Sequence, residues 1–246
     1  MLQATGVRLA EAMAGINLAV APGEIVGLAG LEGHGQDAFI EVLCGLRRPF
    51  AGTVTIRDSA GEAAPIGSLR EAVRLGIAYL PRDRRGTGIF PGQSVFDNFA
   101  IAAMPRHATL GIVRRSGLHE RLRAFRERLS MVYDRPDAPI GTLSGGNQQK
   151  VLLARWLACE PRVILMNDPT RGVDLGTRMK LYDTFRELAR DEGIPLVVLS
   201  TEIEETLQLC DRVLVFRDQA ISRELGADRL ALDQVIAAMF GEAAPA

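Results

Sequence analysis

A glycine-rich segment near the N-terminus has the spacing of a loop that binds phosphate. Gly30 and Gly35 match the two glycines of the pattern Gly-x-x-x-x-Gly-Lys-Ser/Thr, and Gly33 adds a third glycine between them. The apolar run 25–30 predicts a strand before the segment, and the pattern of 38–46 predicts a helix after it. Glycines in such a turn let backbone N–H groups curl around an anion at a helix N-terminus.

The two side chains that serve the phosphate in this pattern are replaced. Gln36 stands where a lysine contacts the outer phosphates, and Asp37 stands where a hydroxyl holds magnesium. One positive charge is lost and one negative charge is gained. Each is worth about 4 kcal/mol at a distance of about 4 Å and an effective dielectric of about 20, before solvent screening. Both changes disfavour a polyphosphate, although Asp37 could ligate magnesium directly. The alternative is an ordinary glycine-rich turn without a ligand.

A second anion-binding pattern occurs later in the chain. Residues 143–150 read Leu-Ser-Gly-Gly-Asn-Gln-Gln-Lys and open a predicted helix. Ser144 supplies a hydroxyl, and Gly145 and Gly146 leave backbone N–H groups accessible at the positive end of that helix. This short motif is weakly specific when taken alone, so its meaning depends on what surrounds it.

An acidic turn follows the next apolar run. Residues 162–174 read Arg-Val-Ile-Leu-Met-Asn-Asp-Pro-Thr-Arg-Gly-Val-Asp, which predicts a strand ending at Asn167 and Asp168. Asp174 closes the turn. The order of the glycine loop, the Ser-Gly-Gly segment and the acidic turn is specific where each motif alone is not.

The elements that must position these residues alternate along the chain. Unbroken apolar runs predict strands that are buried on both faces, and amphipathic stretches between several of them predict helices. This alternation predicts an α/β fold with a mostly parallel sheet, and the stretches up to Gly23 and at 52–56 predict antiparallel strands. The predicted buried strands lie at 25–30, 76–80, 162–166, 195–200 and 212–216.

Two helical patterns are regular enough to predict a buried face. One begins at Leu118, with Leu122, Phe125 and Leu129 on the same side, and the other covers 177–190, with Met179, Tyr182, Phe185 and Leu188 on one side. The middle of the chain holds no convincing strand. We therefore predict a helical subdomain at 95–157, inserted into an α/β core formed by 1–94 and 158–246.

These motifs together resemble the ATP-binding cassette of ABC transporters, over essentially the whole chain. The segment at 143–150 and the Pro-Thr-Arg-Gly-Val-Asp run at 169–174 are similar to those of the class that imports ribose, galactose and arabinose. In that class two cassettes are usually fused, and the second copy commonly has an impaired phosphate loop. This chain resembles the second cassette. The resemblance implies a P-loop NTPase core, with ATP and magnesium as ligands.

The resemblance also implies roles for individual residues. Ser144, Gly145 and Gly146 would contact the γ-phosphate of ATP held by the opposite cassette. Gln148 belongs to the same nucleotide-binding motif, and Asp174 matches an aspartate that crosses the cassette interface. The phosphate-loop positions of the chain's own nucleotide site would be Gly30, Gly33, Gly35, Gln36 and Asp37.

Several of the implied positions carry an unusual residue. Asn167 matches the magnesium-binding aspartate, Asp168 matches the catalytic glutamate, and Thr201 matches a histidine. Arg82 matches a glutamine that contacts metal and the transmembrane partner. No aromatic residue precedes Phe39, so the ring that stacks on adenine in the family has no counterpart here. We expect the chain's own site to be slow or inactive, because phosphoryl transfer depends on positioning and charge.

The bulk composition limits the partners. The formal net charge of −1 provides no field to attract nucleic acid or an anionic membrane. No segment approaches the roughly 20 apolar residues that span a bilayer, and no signal peptide is evident. The spacing of Cys44, Cys159 and Cys210 predicts buried free thiols rather than a metal site. We therefore expect a cytoplasmic protein bound to the inner face of the plasma membrane through a separate permease.

Three interpretations remain open. In the first, the chain completes the ATP site of a competent first cassette and so drives import through the permease, with a solute-binding protein delivering the substrate. In the second, it binds nucleotide without turnover and acts as a regulatory or structural half of the transporter. In the third, it is an ABC protein outside transport. The sugar-class signature disfavours the third, as does the lack of a long coiled-coil insertion or a strongly basic tail.

Overall fold

Residues 1–57, 61–109, 112–113 and 115–241 are described by the structure, which is a computed structural model, and the chain divides into two units. Unit 1 comprises Met1–Tyr79, Arg162–Asp168 and Phe185–Ala246, and unit 2 comprises Leu80–Pro161 and Pro169–Thr184. The segment 95–157 falls inside unit 2, which also takes in residues on either side of it. The proposed boundaries at 94 and 158 stay predictions.

Unit 1 contains a largely parallel sheet with the strand order β12-β11-β3-β10-β9-β6. Strand β3 pairs in parallel with β10 and β11, β10 pairs in parallel with β9, and β12 is antiparallel to β11. The predicted α/β fold with a mostly parallel sheet is confirmed. The strands of this sheet are β3 (Ile25–Gly30), β6 (Ile77–Leu80), β9 (Val163–Asn167), β10 (Leu196–Leu199), β11 (Arg212–Arg217) and β12 (Ala220–Gly226).

The predicted antiparallel strands are confirmed as a second sheet in unit 1, with the order β2-β1-β4-β5. Buried and exposed residues alternate in β2, as expected for a strand with one face on the core. The strands are β1 (Leu2–Arg8), β2 (Ile16–Val20), β4 (Ala51–Arg57) and β5 (Ala63–Pro65).

One apolar core joins the two sheets of unit 1 to the helix after the glycine loop. Phe39 and Phe216 are fully buried in it, with ring centroids 5.4 Å apart. This packing holds the helix after the loop against β11. The helices of unit 1 are α1 (Gln36–Leu43), α2 (Leu69–Arg74), α7 (Ile203–Leu209) and α8 (Leu232–Phe240), together with the C-terminal part of α6 (Leu175–Arg190).

Unit 2 is mainly helical, with one correction to the sequence prediction. Two-residue strands, β7 (Ala108–Thr109) and β8 (Ile112–Val113), pair antiparallel inside the segment expected to lack strands. Such short strands give no detectable alternation in sequence. The principal helices of unit 2 are α3 (Val95–Ala100), α4 (Arg115–Arg128), α5 (Gly145–Leu157) and the N-terminal part of α6.

The predicted buried face of α6 is wrong at one residue. Met179 is 42% exposed, whereas Tyr182, Phe185 and Leu188 are buried as expected. The helix starts at Leu175, and its first turns are exposed, so the buried stripe begins only at Leu181. Among the described residues no helix is long and apolar enough to cross a membrane.

Candidate functional site

The glycine loop leaves β3 and enters α1 through two backbone conformations that suit glycine. Gly33 has φ +84° and Gly35, the N-cap of α1, has φ +109°. An L-side chain is strained in this region, so the loop depends on glycine at both positions. No side chain caps the helix at Gly35, and the Gly35 carbonyl accepts a hydrogen bond from the Phe39 N–H at 2.8 Å. The shape of a phosphate-binding turn is therefore present.

Gln36 folds its side chain back onto this loop. Its amide Nε2 donates to the carbonyl oxygens of Gly30 at 3.2 Å and Leu31 at 2.9 Å. The residue is only 4% exposed, and its Oε1 accepts no hydrogen bond from the residues that the structure describes. A lysine at this position would bring a cation to the loop. Gln36 instead donates its amide hydrogen atoms to carbonyl oxygens of the loop itself.

Asp37 and Asn167 meet at the carboxyl end of β9. The Asn167 Nδ2 donates to Asp37 Oδ1 at 3.3 Å, and the buried Asn167 Oδ1 accepts no hydrogen bond from any described residue. Tyr79 also lies here. Burial and the nearby Cys44 raise the pKa of its phenol, while a hydrogen bond with Asn167 acts in the opposite direction. The predicted metal positions are thus side by side, but they contribute one carboxylate and one amide.

Asp168 is held by the residue at the implied histidine position. Its Oδ1 accepts hydrogen bonds from the Thr201 backbone N–H at 2.6 Å and from Thr201 Oγ1 at 3.0 Å. Asp168 is 6% exposed and has φ +47°, a left-handed conformation that costs about 1 kcal/mol for a residue with a side chain. The carboxylate at the implied catalytic position is therefore engaged with its neighbour.

A hairpin turn that the sequence did not flag supports the glycine loop from outside. Asp218 and Gln219, between β11 and β12, have φ +50° and +64°. The Asp218 N–H donates to His34 Nδ1 at 3.0 Å, the Gln219 N–H donates to the His34 carbonyl at 2.9 Å, and Gln219 Nε2 donates to the Gly33 carbonyl at 2.5 Å. Runs 212–217 and 220–226 could have predicted a hairpin, but no sequence signal links its turn to a loop about 185 residues earlier.

In unit 2, Ser144 is the N-cap of α5. Its Oγ accepts hydrogen bonds from the Asn147 N–H at 3.4 Å and from Asn147 Nδ2 at 3.1 Å, and the residue remains exposed. Gln148 turns inward, and its Nε2 donates to the Leu143 carbonyl at 3.0 Å. The start of the helix is therefore fixed by its own side chains while the Ser144 side chain faces solvent.

Two close contacts explain the glycines of this motif. A Cβ at Gly145 would lie 2.6 Å from the Gly172 carbonyl oxygen, and a Cβ at Gly146 would lie 2.7 Å from Thr177 Cγ2. The acidic turn therefore packs directly on the start of α5. In the same turn, the exposed Asp174 accepts the Thr177 N–H at 3.0 Å, and this hydrogen bond lowers the pKa of its carboxyl.

Arg84 joins these two parts of unit 2. Its guanidinium donates to Gln148 Oε1 at 3.4 Å, to Gln149 Oε1 at 3.3 Å and to the Arg171 carbonyl at 3.1 Å. The sequence prediction selected Arg82, which lines the same cavity, and did not assign Arg84 to the site. Arg82, Arg84 and Arg85 lie close together in the sequence, so the sequence did not indicate which of them turns toward α5.

The predicted site residues thus form two groups, one in each unit. In unit 1 the group lacks a cation at the loop, and its side chains are bonded to one another, so it does not fit a magnesium-bound polyphosphate. In unit 2 the exposed Ser144 hydroxyl and the first N–H groups of α5 fit an anion. The first group is Gly30, Gly33, Gly35, Gln36, Asp37, Asn167, Asp168 and Thr201, and the second is Arg82, Ser144, Gly145, Gly146, Gln148 and Asp174.

Comparison with known proteins places these motifs in context. The sequence profile of the ABC transporter family matches residues 13–171. The chain is 39% identical over 238 residues to the ribose import ATP-binding protein RbsA 2 of Rhizobium etli, covering 96% of this chain and 46% of that protein. It is 37% identical over 249 residues to RbsA 2 of Rubrobacter xylanophilus, covering 100% and 46%. The chain therefore spans about half the length of these relatives.

Solved structures show the same fold at low sequence identity. MJ1267, an ATP-binding cassette of an ABC transporter, superposes with a TM-score of 0.80 at 20% identity, covering 98% of this chain and 97% of that one. The ATP-binding cassette MJ0796, solved as a dimer with ADP and Pi, gives a TM-score of 0.78 at 21% identity, covering 92% and 99%. The fold, the order of the motifs and the sequence match agree, and the chain belongs to the ABC transporter family.

Proposed function

We propose that this chain is an ATP-binding subunit of a sugar-type ABC importer that acts mainly through its signature, residues 143–149. The signature completes an ATP site whose phosphate loop belongs to a competent partner cassette. The chain's own loop contributes little turnover. Import of a sugar is proposed because the relatives that match nearly the whole chain are named as ribose import proteins.

The observation that carries the proposal is the contrast between the two groups of residues. In the glycine loop, Gln36 occupies the loop with its own amide, and Asp37 adds a carboxylate beside Asn167. In the signature, Ser144 is exposed at the N-terminus of a helix whose geometry is fixed by Asn147. One group repels a polyphosphate and the other receives one.

The chain's own loop is predicted to turn over ATP slowly for an electrostatic reason. A missing cation and an added carboxylate each cost about 4 kcal/mol at an effective dielectric of about 20, before solvent screening. Backbone N–H groups and the dipole of α1 offset only part of this. Asp168 is in addition held by Thr201 rather than directed by a histidine.

The same contacts of Asp168 favour a second candidate function. A chain whose catalytic carboxylate is already hydrogen-bonded can bind nucleotide without hydrolysing it. Such a chain could act as a regulatory or structural half of the transporter. The two candidates differ in one measurable property. Signature donation requires Ser144 for turnover by the partner, whereas a regulatory half requires only that the pair assembles.

The experiment compares two substitutions that both preserve the helix cap. Ser144→Asn and Ser144→Asp each keep a side-chain acceptor at the N-cap, but only aspartate places a negative charge against the γ-phosphate. ATP turnover is measured for the chain alone, for its mixture with the competent cassette, and for the mixtures with each variant. We expect stimulation in the wild-type mixture, and a loss of about tenfold or more in the Ser144→Asp mixture relative to Ser144→Asn.

Each result decides between the candidates. Equal turnover with both variants would reject signature donation and leave the regulatory role. Fast turnover by the isolated chain would reject the proposal that its own loop is impaired. Gly146 is a poorer test position, since a Cβ there meets Thr177 within the chain itself. Any loss at Gly146 would mix folding with function.

The assembly follows from the same proposal. The partners are a competent ABC cassette, transmembrane permease subunits and, indirectly, a solute-binding protein, and nucleic acid is not among them. ATP and magnesium would be held mainly by the partner's loop. The chain would then lie in the cytoplasm on the inner face of the plasma membrane, with Arg82 near the permease. Co-purification with the permease, lost on Arg82→Glu but kept on Arg74→Glu, would support this placement.

A further inference from the structure

Arginine is the commonest lining residue of a cavity in unit 2, at four of its six positions. Its volume is about 460 Å³, and we call it the arginine cavity. It is formed by two stretches of chain, the turn that follows β6 and the acidic turn before α6. The lining residues are Arg82, Asp83, Arg84, Arg85, Arg171 and Gly172.

The charges around the arginine cavity are not balanced. The guanidinium groups of Arg84, Arg85 and Arg171 share this space with one lining carboxylate, Asp83, and its Oδ1 already accepts the Gly86 N–H at 2.9 Å. Within the described residues, no carboxylate lies within 4.0 Å of Arg84, Arg85 or Arg171. Such a concentration of unpaired positive charge attracts a multivalent anion.

Two other arginines of the chain are paired with carboxylates. Arg212 bonds Glu24 at 2.6 Å and Glu224 at 2.9 Å, and Arg190 pairs with Asp211. The arginine cavity differs from both positions, because Arg84, Arg85 and Arg171 line one small volume and none of them has a carboxylate of a described residue within 4.0 Å. A ligand with two or more negative charges would supply the missing partner.

Arg84 lines the arginine cavity with a guanidinium group that is held in place by hydrogen bonds. Its three hydrogen bonds go to neutral oxygens of Gln148, Gln149 and Arg171, so its position is set while its charge is not neutralised. Burial, and then the charge of Arg85, lower the pKa of the Arg84 guanidinium. An anion in the cavity would relieve both effects, because it would solvate and pair the charge.

We propose that the arginine cavity binds a phosphoryl group, either as free inorganic phosphate or pyrophosphate or as part of a nucleotide. Guanidinium groups bind such groups through paired N–H donors, and several of them around a small volume suit two or more negative charges better than one carboxylate. The proposal concerns the isolated chain and goes beyond the function proposed above. Because Arg84 also bonds Gln148 and Gln149, occupancy of the cavity would reach the signature helix directly.

The test is calorimetric titration of the chain with phosphate, pyrophosphate and ATP. We expect saturable binding, tighter for pyrophosphate than for phosphate. Arg85→Gln with Arg171→Gln should weaken it about tenfold or more, since each lost charge-assisted bond is worth about one order of magnitude. Both residues are exposed, so the fold tolerates the change. The matched control is Arg70→Gln with Arg74→Gln, which removes two exposed charges from α2 and should leave binding unchanged.

Two further arms locate the bound anion. Gly33→Asp disables the glycine loop, because it adds a carboxylate there and strains the backbone at φ +84°, and it should leave pyrophosphate binding in the arginine cavity intact. Pyrophosphate should protect Arg85 and Arg171 from phenylglyoxal, as read by mass spectrometry. If ATP but not pyrophosphate loses affinity in Gly33→Asp, the nucleotide uses the loop and the cavity takes the free anion.

The proposal is overturned by any of three results. They are an absence of saturable binding, an equal loss of binding in the α2 control, and binding that survives Arg85→Gln with Arg171→Gln but disappears in Gly33→Asp. Arg84→Lys, which keeps the charge, should retain more affinity than Arg84→Gln if the cavity acts by charge. A merely structural Arg84 would make those two variants alike. None of these outcomes depends on whether Ser144 serves a partner cassette.

Discussion

Three side chains change the chemistry of the glycine loop without changing its shape. Gln36 lies inside the loop as an uncharged donor, Asp37 brings a carboxylate, and Asn167 is an amide whose Oδ1 accepts no hydrogen bond from the described residues. The backbone that would cradle an anion is retained through Gly33 and Gly35. The proposed impairment is therefore one of charge, and we expect a reversal of charge to repair it.

We predict that Gln36→Lys combined with Asp37→Ser tightens binding of ATP and magnesium to the isolated chain. The double change restores a cation and removes an anion near the phosphates, and about tenfold or more is expected after solvent screening. Equilibrium titration with a fluorescent ATP analogue measures it. Gln36→Met with Asp37→Ser is the control, because it frees the loop carbonyls without adding charge. Equal affinity of the lysine and methionine variants would contradict the electrostatic explanation.

Residue types could be assigned from the sequence, but side-chain directions could not. The spacing from Gly30 placed Gln36 and Asp37 in the loop, because glycine requirements are local. The contacts of Gln219 with Gly33 depend on how β11 lies beside β3, which no local pattern encodes. Arg84 was missed for the same reason, since its partners lie 64 to 87 positions away in the sequence.

The signature helix α5 is anchored by a buried arginine. Arg155 is 6% exposed, and its guanidinium donates to the Asn98 carbonyl at 2.5 Å, the Gly88 carbonyl at 2.6 Å and Asn98 Oδ1 at 3.0 Å. Burial lowers the pKa of this group to about 10, which leaves it charged at neutral pH. The helix is thereby joined to α3 and to the turn before it.

We predict that Arg155→Met lowers the free energy of unfolding by about 3 kcal/mol, because buried acceptors lose a charged donor. Denaturant titration measures the change. Arg121→Met is the control within unit 2, since Arg121 pairs with Glu160, which is 75% exposed, and such a pair contributes about 0–1 kcal/mol. Similar effects of the two substitutions would show that the Arg155 contacts do not anchor the helix.

Most helices and strands could be predicted from the periodicity of apolar residues. The errors lie where tertiary packing determines which residues are buried or paired. The five predicted buried strands are found within one residue of their expected ends, because unbroken apolar runs bounded by glycine, proline or charge are specific. The strands β7 and β8 are too short to show a period. Met179 fits the stripe of α6 by spacing, yet its turn is exposed.

At the scale of the whole molecule, we expect the buried thiols to make the stability of the fold depend on alkaline pH. Cys44, Cys159 and Cys210 are all buried and free, as the sequence predicted. Burial raises the pKa of Cys44 to about 12 and also raises that of Cys210, from an ordinary value of 9.0. The folded protein therefore keeps thiol protons that the unfolded chain releases above about pH 9.

We predict that the stabilisation linked to these protons is present below about pH 9 and is lost as the pH rises. For Cys44 the slope is about 1 kcal/mol per pH unit, because the unfolded state binds fewer protons there. Unfolding titrations with guanidinium chloride at about pH 8 and pH 10 measure this change in the free energy of unfolding. Cys44→Ala should make the free energy of unfolding less dependent on pH. In the native state at about pH 8 the thiols should also resist a thiol reagent. An unchanged pH dependence in Cys44→Ala would contradict this assignment.

The fold class could be predicted because the alternation of strands and helices is a property of the whole chain. The subdomain boundaries at 94 and 158 stay predictions. Segments 80–94 and 169–184 group with unit 2, and Arg84 makes hydrogen bonds there to residues far away in sequence, Gln148 and Arg171. Motif order identified the family, whereas the arginine cavity needed two distant turns to be brought together.

The folded-back position of Gln36 has a further consequence: the glycine loop carries a competitor of its own. We expect a phosphate that enters the loop to displace the bonds from Nε2 to the carbonyls of Gly30 and Leu31. The apparent dissociation constant then equals the intrinsic one divided by the fraction of loops that Gln36 has vacated. The loop's affinity can then change without any change in a ligand contact. Any contact that stabilises the inward rotamer of Gln36 would weaken phosphate binding at the loop without touching the phosphate.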